Sequence, residues 1–200
     1  KVENGWYYLQ NIGVGVNLTA NLTGPSITGM PQQKNDYSQL WYLTNVNGKY
    51  TIKNALNERY VIGVSGANQN YQTGTKQSTF AFNSTGDEYA PSFYIKDQSG
   101  VVMNINGGSK IALSWYEEDP ASKWYLVPAK VDETKLSEKR GNASELKTIS
   151  SYGSKYNEVL DKFFNDKART TLKDEYASLS DEALTKALNE ANAAVFASVS

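Results

Sequence analysis

A phrase of alternating aromatic and apolar residues written three times, a change of composition near residue 130, and a change of hydrophobic period beyond it together predict a two-part molecule. Residues 1–130 read as an all-β trefoil of three four-stranded repeats with pseudo-threefold symmetry. Residues 131–200 read as a small all-α helical bundle or spacer, or as the start of a further domain. The boundary falls around Pro128 to Asp132.

The repeats align on their glycine turns. "GWYYLQN" opens at Gly5, "GKYTIKN" at Gly48 and "GVVMNIN" at Gly100. Each is followed by a second apolar strand, "VGVNLTA", "YVIGVSG" and "KIALSWYE". Each unit then closes on an aromatic strand, "QLWYLTN", "SFYIKDQ" and "SKWYLVP". Side chains two apart on a strand share a face, so Trp41 and Leu43, Phe93 and Ile95, and Trp124 and Leu126 should point into one core. In the third unit burial favours Met103 and Ile105 as the inward pair over Val102 and Asn104. No single repeat covers its own apolar face, so three must close on each other.

Composition marks the second part. Residues 1–130 hold 18 of the 24 aromatics and 13 of the 15 glycines, whereas residues 131–200 hold 22 charged side chains. From Ala143 the apolar residues recur at threes and fours, through Leu146, Ile149, Tyr156 and Phe163-Phe164, predicting a helix to about Asn165 with Gly153 a weak point. Leu172, Tyr176 and Leu179 suggest a second helix. Ser180, followed by Asp181 and Glu182, caps a third. A bundle with so few large residues should lean on the trefoil or on a neighbouring domain of the same polypeptide.

Charge and residue types exclude several functions. The first part carries 10 basic and 9 acidic residues and the second 10 and 12, with no concentrated basic face of the kind nucleic acid requires. With no histidine and no cysteine, imidazole-based nucleophilic schemes, thiolate metal sites and disulfides are all excluded. No catalytic residues, metal site or cofactor are expected. No apolar run approaches a membrane span, so membrane insertion is not expected. The first residue is Lys1 rather than Met, which suggests that an export signal has been removed and that the protein is secreted or at a cell surface.

Gln39-Leu40-Trp41 resembles the Gln-x-Trp signature of ricin-B-type lectin repeats, and residues 4–129 fit that family's three-unit plan. The second and third units carry Pro91-Ser92-Phe93 and Ser122-Lys123-Trp124 instead. The ending "KWYLVPA" looks like trefoil modules of exported multidomain bacterial proteins. The resemblance implies sugar sites built from an acid at the end of each second strand, an aromatic platform and an amide. Those acid positions fall at Asn17, Gly63 and Ser114, none of them acidic. Asn17 and Ser114 retain hydrogen-bonding capacity.

Two further stretches offer a sugar surface. Trp115-Tyr116-Glu117-Glu118-Asp119 sets two rings beside acids, with Glu117 or Asp119 as acceptor; a core Trp115 beside a solvated acidic turn is the plainer alternative. Asn68, Asn70, Tyr71 and Gln72 lie in what reads as one long loop of repeat two. The sequence therefore suggests a non-catalytic module that places a secreted bacterial protein on glycans or polysaccharide. The second expectation is a protein–protein interaction or structural module that kept the trefoil and lost its sugar sites.

Overall fold

Tyr7, Tyr50 and Phe93 stand 43 residues apart, and so do Leu9, Ile52 and Ile95, and Asn11, Asn54 and Asp97. A computed structural model, which describes residues 2–150 apart from Lys34 and Tyr89 and side chains up to Ser144, shows why. The members of each triplet occupy equivalent places in the three repeats, on the first strand or, for Asp97, immediately after it. Those strands are β1 (Gly5–Asn11), β5 (Lys49–Asn54) and β9 (Phe93–Lys96). The fourth strands are β4 (Leu40–Val46), β8 (Ala81–Ser84) and β12 (Trp124–Pro128).

Within each repeat the first strand pairs antiparallel with the fourth at equivalent residues: Tyr7 with Trp41, Tyr50 with Phe80, Phe93 with Trp124. Between repeats, Leu43 faces Ile52, Phe82 faces Ile95 and Leu126 faces Leu9. These six pairings close a barrel that leaves none of its strands with a free edge. The other six strands form three hairpins: β2 (Asn17–Ala20) with β3 (Ile27–Met30), β6 (Tyr60–Ile62) with β7 (Gln72–Gly74), and β10 (Val102–Ile105) with β11 (Ala112–Trp115). Single bridges Ser26–Gln72, Thr28–Ile111 and Asn70–Leu113 join the hairpins pairwise into a triangular cap.

One continuous core runs through barrel and cap, with Leu9, Leu18, Trp41, Ile52, Val61, Phe80, Ile95, Met103 and Trp124 at its centre. Large side chains dominate it because burial of apolar area is the main stabilising term, at about 25 cal/mol per Å². The two indoles also satisfy backbone: Trp41 Nε1 donates to the Leu18 carbonyl and Trp124 Nε1 to the Met103 carbonyl, both at 2.9 Å. Leu18 and Met103 are themselves equivalent residues of β2 and β10, so the same bond is made twice. Met103 and Ile105 point into this core, as burial predicted, while Asn104 turns the other way.

The glycine alignment misplaced the second closing strand. Trp41 and Trp124 have Phe80, not Phe93, as their third partner, and Phe93 instead opens repeat three opposite Trp124. Phe93 and Leu126 are only partly buried, although both pack on the core. The presumed long loop of repeat two accordingly contains β7 and β8. The buried residue two before Phe80 is Ser78, which takes the place of Gln39 and Ser122, rather than Pro91.

Asn11, Asn54 and Asp97 hold the turns that follow the first strands. Their Oδ1 atoms accept from Val14 N at 3.0 Å, Leu56 N at 3.0 Å and Ser99 N at 2.9 Å. Asn11 and Asn54 also reach back, donating to the carbonyls of Ala121 and Ser38. Gly13 lies so close to repeat three that a Cβ there would meet the Ala121 nitrogen at 2.5 Å. That approach brings the turn of repeat one against the third repeat.

After the barrel, a helix α1 runs over Glu133–Ser150, ten residues ahead of the start expected from the periodicity. Leu136 and Ala143 are buried against Tyr37, Leu40, Ala55 and Leu56, with Trp6, Tyr8 and Leu22 alongside. Arg140 Nε donates to the Ala55 carbonyl at 2.7 Å, and its guanidinium pairs with Glu58 at 3.3 Å. The helices expected further on, including Phe163-Phe164, lie outside the described residues. No helix among the described residues is long and apolar enough to cross a membrane.

Candidate functional site

The alternation of β10 and β11 sorts their residues into two faces. Met103, Ile105 and Ala112 point to the core, and Ser114 shares their face. The opposite face carries Asn104 across from Leu113 and Val102 across from Trp115. Asn104, Leu113 and Trp115 form one wall of a cleft of about 400 Å³. Val14 from repeat one, Asn68 from repeat two, and Asn106, Asp119 and Ala121 complete it. All three repeats contribute.

The positions are fixed by hydrogen bonds. Asp119 caps the 3-10 turn Pro120–Ser122, its Oδ1 accepting from Ala121 N at 2.8 Å. Its other carboxylate oxygen meets no protein donor among the described residues. Asn104 Nδ2 donates to Ser122 Oγ at 3.0 Å, and Ser122 Oγ donates to the Tyr116 carbonyl at 2.7 Å, tying the 116–122 segment to β10. Asn106 Oδ1 accepts from Gly108 N and Ser109 N, which leaves its amide NH₂ as the available donor. The Trp115 ring is half-buried, tilted at 58° against Tyr116 with centroids 5.4 Å apart. An apolar ring flanked by a carboxylate and three amides suits a ligand that is apolar on one face and polar at its edges.

Several candidates from the sequence stand elsewhere. Asn17 is fully buried, and its Nδ2 donates to Gln39 Oε1 at 3.0 Å. Gln39 in turn donates to the Pro31 carbonyl at 2.9 Å, so this pair fixes a turn and is closed to solvent. Tyr71 is a core ring whose hydroxyl donates to Asp97 Oδ2 at 3.0 Å. Burial, with that carboxylate beside it, pushes the phenol well above its ordinary pKa. It offers no platform. Glu117 turns away to Lys96, at 2.8 Å. Tyr116 is 55 % exposed but lies outside the cleft lining. Asn70 is exposed and bridges Leu113 through backbone, also outside the lining.

Ser114 has a different job from the one its alignment implied. Its hydroxyl donates to the Gly66 carbonyl at 2.6 Å and accepts from Gln69 N at 3.0 Å. Together with the bond from Asn68 N to the Ser114 carbonyl at 2.7 Å, this clamps the 66–70 segment and sets Asn68 at the cleft mouth. Asn104 and Asn106 belong to none of the stretches that the sequence singles out for sugar binding, neither the presumed acid positions nor the amides of repeat two. The signal available was the strand register: preferring Met103 and Ile105 as inward residues makes Asn104 outward.

With barrel, cap and threefold pairing established, solved structures give the comparison. The agglutinin of Rhizoctonia solani is similar over 64% of this chain and 98% of its own, at 19% identity and TM-score 0.53. SeviL, solved bound to asialo-GM1 saccharide, matches 64% of this chain and 100% of its own at 16% identity and TM-score 0.54. The BEL beta-trefoil matches 64% and 96% at 15% identity and TM-score 0.55. The fold is a β-trefoil. No protein-family model matches the chain, and no curated protein matches it in sequence.

Equivalent positions on the three trefoil hairpins differ in content. Trp115 of β11 corresponds to Met30 of β3 and Gly74 of β7, each the residue across from the strand position before Met103, Leu18 or Val61. Asn104 corresponds to Thr19 and Ile62 by the same register. At these two positions only the third hairpin joins a ring to an amide, while the outward face of the second carries its ring and amide as Tyr60 and Gln72. In the second, a Cβ on Gly74 would lie 2.4 Å from Ile62 Cδ1, so the apolar Ile62 fills that space.

Proposed function

We propose that this trefoil is a non-catalytic carbohydrate-binding module whose principal site is the third-repeat cleft. One observation carries the reading: Trp115, Asp119, Asn104, Asn106 and Asn68 meet in a cleft of sugar-accommodating size. Trp115 would cover the apolar C–H face of a ring. The Asp119 carboxylate would accept from sugar hydroxyls, in the stronger charge-assisted class of hydrogen bond, and the Asn106 NH₂ would donate to a ring or hydroxyl oxygen. Fold likeness to an agglutinin and to a saccharide-bound protein supports this choice of ligand class. The setting we propose is a secreted or cell-surface bacterial protein that the module places on glycans.

The test is a glycan array with the full chain and its Trp115→Ala variant. The half-buried ring contributes area and stacking, so its loss should weaken binding by about tenfold or more, equivalent to ~1.4 kcal/mol. Silence of the intact protein across plant, mucin and host glycans would refute the proposal. It would leave the second reading, an interaction module without sugar sites. That reading is favoured by Met30 and Gly74, which deprive two repeats of a platform ring.

A further inference from the structure

We infer that a second cleft, between the β2–β3 turn and the β5–β6 turn, binds the carboxylate of an acidic saccharide such as a uronic acid. The inference rests on the carbohydrate reading but uses other residues. The cleft has a volume of about 310 Å³ and is lined by Asn21, Leu22, Gly24, Pro25, Asn57 and Arg59. None of these is acidic, and Arg59 is the one cation among them.

The backbone of Arg59 is held in place while its charge stays available. Its backbone N–H donates to Asn57 Oδ1 at 2.9 Å, and Asn57 N is itself tied to Asn54 Oδ1 at 3.3 Å. The guanidinium makes no hydrogen bond or ion pair among the described residues. The neighbouring acid, Glu58, is paired with Arg140 of α1, itself held by the Ala55 carbonyl, so the nearest carboxylate in sequence is already neutralised. Across the cleft, Asn21 is set by bonds from Thr23 N to its Oδ1 at 3.0 Å and from its Nδ2 to Ser26 Oγ at 3.1 Å. Leu22 supplies an apolar wall.

A planar guanidinium presents paired donors that match a carboxylate bidentately. A monosaccharide-sized cleft with one such cation, a polar turn and an apolar wall selects a singly charged ring. A polyanion is disfavoured because its phosphates need several cations in a row, and the trefoil segment carries nearly balanced charge.

The experiment compares D-galacturonate with D-galactose, which differ only in having a carboxylate or a hydroxymethyl group at C6. The full chain is titrated with each while the Arg59 Nε–H and the amides of residues 21–24 and 57–59 are followed by NMR. We expect galacturonate alone to shift these signals, with the effect weakened by added salt. Arg59→Gln should reduce the affinity about tenfold or more while amide signals elsewhere stay in place. Trp115→Ala should leave the Arg59 response intact. Shifts by galacturonate only around Trp115, shifts undiminished in Arg59→Gln, or equal shifts produced by acetate would each overturn the inference while leaving the third-repeat site standing. Absence of shifts anywhere, with the array silent, would overturn both.

Discussion

Replacing Leu136 by Ala tests whether α1 belongs to the cooperative unit of the trefoil. Leu136 is 2 % exposed and sits among Tyr37, Leu40, Ala55 and Leu56, side chains supplied by repeats one and two. Removing three buried carbons from such a site costs the lost transfer free energy plus a cavity term, about 2–4 kcal/mol for a site that does not collapse. The loss has a ceiling, the free energy with which α1 docks, since beyond it the helix detaches locally. That docking includes the Arg140–Ala55 bond, a charge-assisted contact worth about 1.5–3 kcal/mol, and the half-exposed Arg140–Glu58 pair, worth less than about 1 kcal/mol. The ceiling therefore stands above 2 kcal/mol, and for a domain of this size each kcal/mol lowers Tm by roughly 2–4 °C. Thermal unfolding followed by near-ultraviolet circular dichroism reports on the buried indoles Trp41 and Trp124 of the barrel core, which are not among the side chains clustered with Leu136. An unchanged barrel Tm in Leu136→Ala would refute the reasoning and make residues from 131 onward an independent appendage.

Two other outcomes follow from the core and its titrating groups. Trp124→Phe removes the Nε1–Met103 bond and part of a buried ring, so urea denaturation should show a loss of about 2–4 kcal/mol with the far-ultraviolet spectrum preserved, since Phe80 already occupies the equivalent place. A loss below ~1 kcal/mol would show that the indole bond is dispensable. Burial raises the Asp36 carboxyl above the ordinary range, with bonds from Ser38 and the charge of Lys139 pulling it partly back. The folded state thus binds the proton more tightly, and this contribution to stability is full below the unfolded pKa and lost as pH rises through the folded value. Asp36→Asn keeps an amide oxygen as the cap of the Tyr37–Gln39 turn and should flatten that fall above the ordinary carboxylate range. An undiminished slope in urea midpoints would contradict the assignment.

The architecture was legible in the sequence because its strongest constraints repeat. Trp41 and Trp124 could be recognised as equivalents, and the burial argument at Met103 and Ile105 assigned both faces of β10. What misled was the reliance on glycine. Gly48 and Gly100 both have positive φ, 87° and 88°, so each answers to its own turn and not to a place in the repeat. Gly48 ends the turn between β4 and β5, whereas Gly100 lies in the turn between β9 and β10. The residues that do keep register are Asn11, Asn54 and Asp97, whose carbonyl or carboxylate oxygens hold equivalent turns. Their common spacing of 43 was present in the sequence and is shared by Leu9, Ile52 and Ile95, but an alignment pinned on Gly48 and Gly100, 52 residues apart, passes over it. The start of α1 was missed for a related reason. Its buried side, Leu136 and Ala143, is one short stripe within a polar helix, too sparse to set a period.

The site was less legible than the fold because a trefoil separates the two physically. Inward positions of the cap answer to all three repeats at once, and Leu18, Val61 and Met103 stay apolar. The outward slot across the hairpin answers to its own surroundings only, and it holds Met30, Gly74 and Trp115. Nothing in packing forbids a ring in the first repeat, where Met30 is 48 % exposed, while in the second a side chain at Gly74 would have to displace the end of Ile62. Binding capacity can therefore be lost or gained one repeat at a time with the core untouched. In this chain that freedom leaves an aromatic cleft on the third hairpin and a cationic one beside the first. If both clefts bind as proposed, two unlike single sites would give no avidity on a repetitive glycan bearing one kind of terminus. They would favour instead a saccharide carrying a neutral and an acidic residue, provided that its length spans the two hairpins.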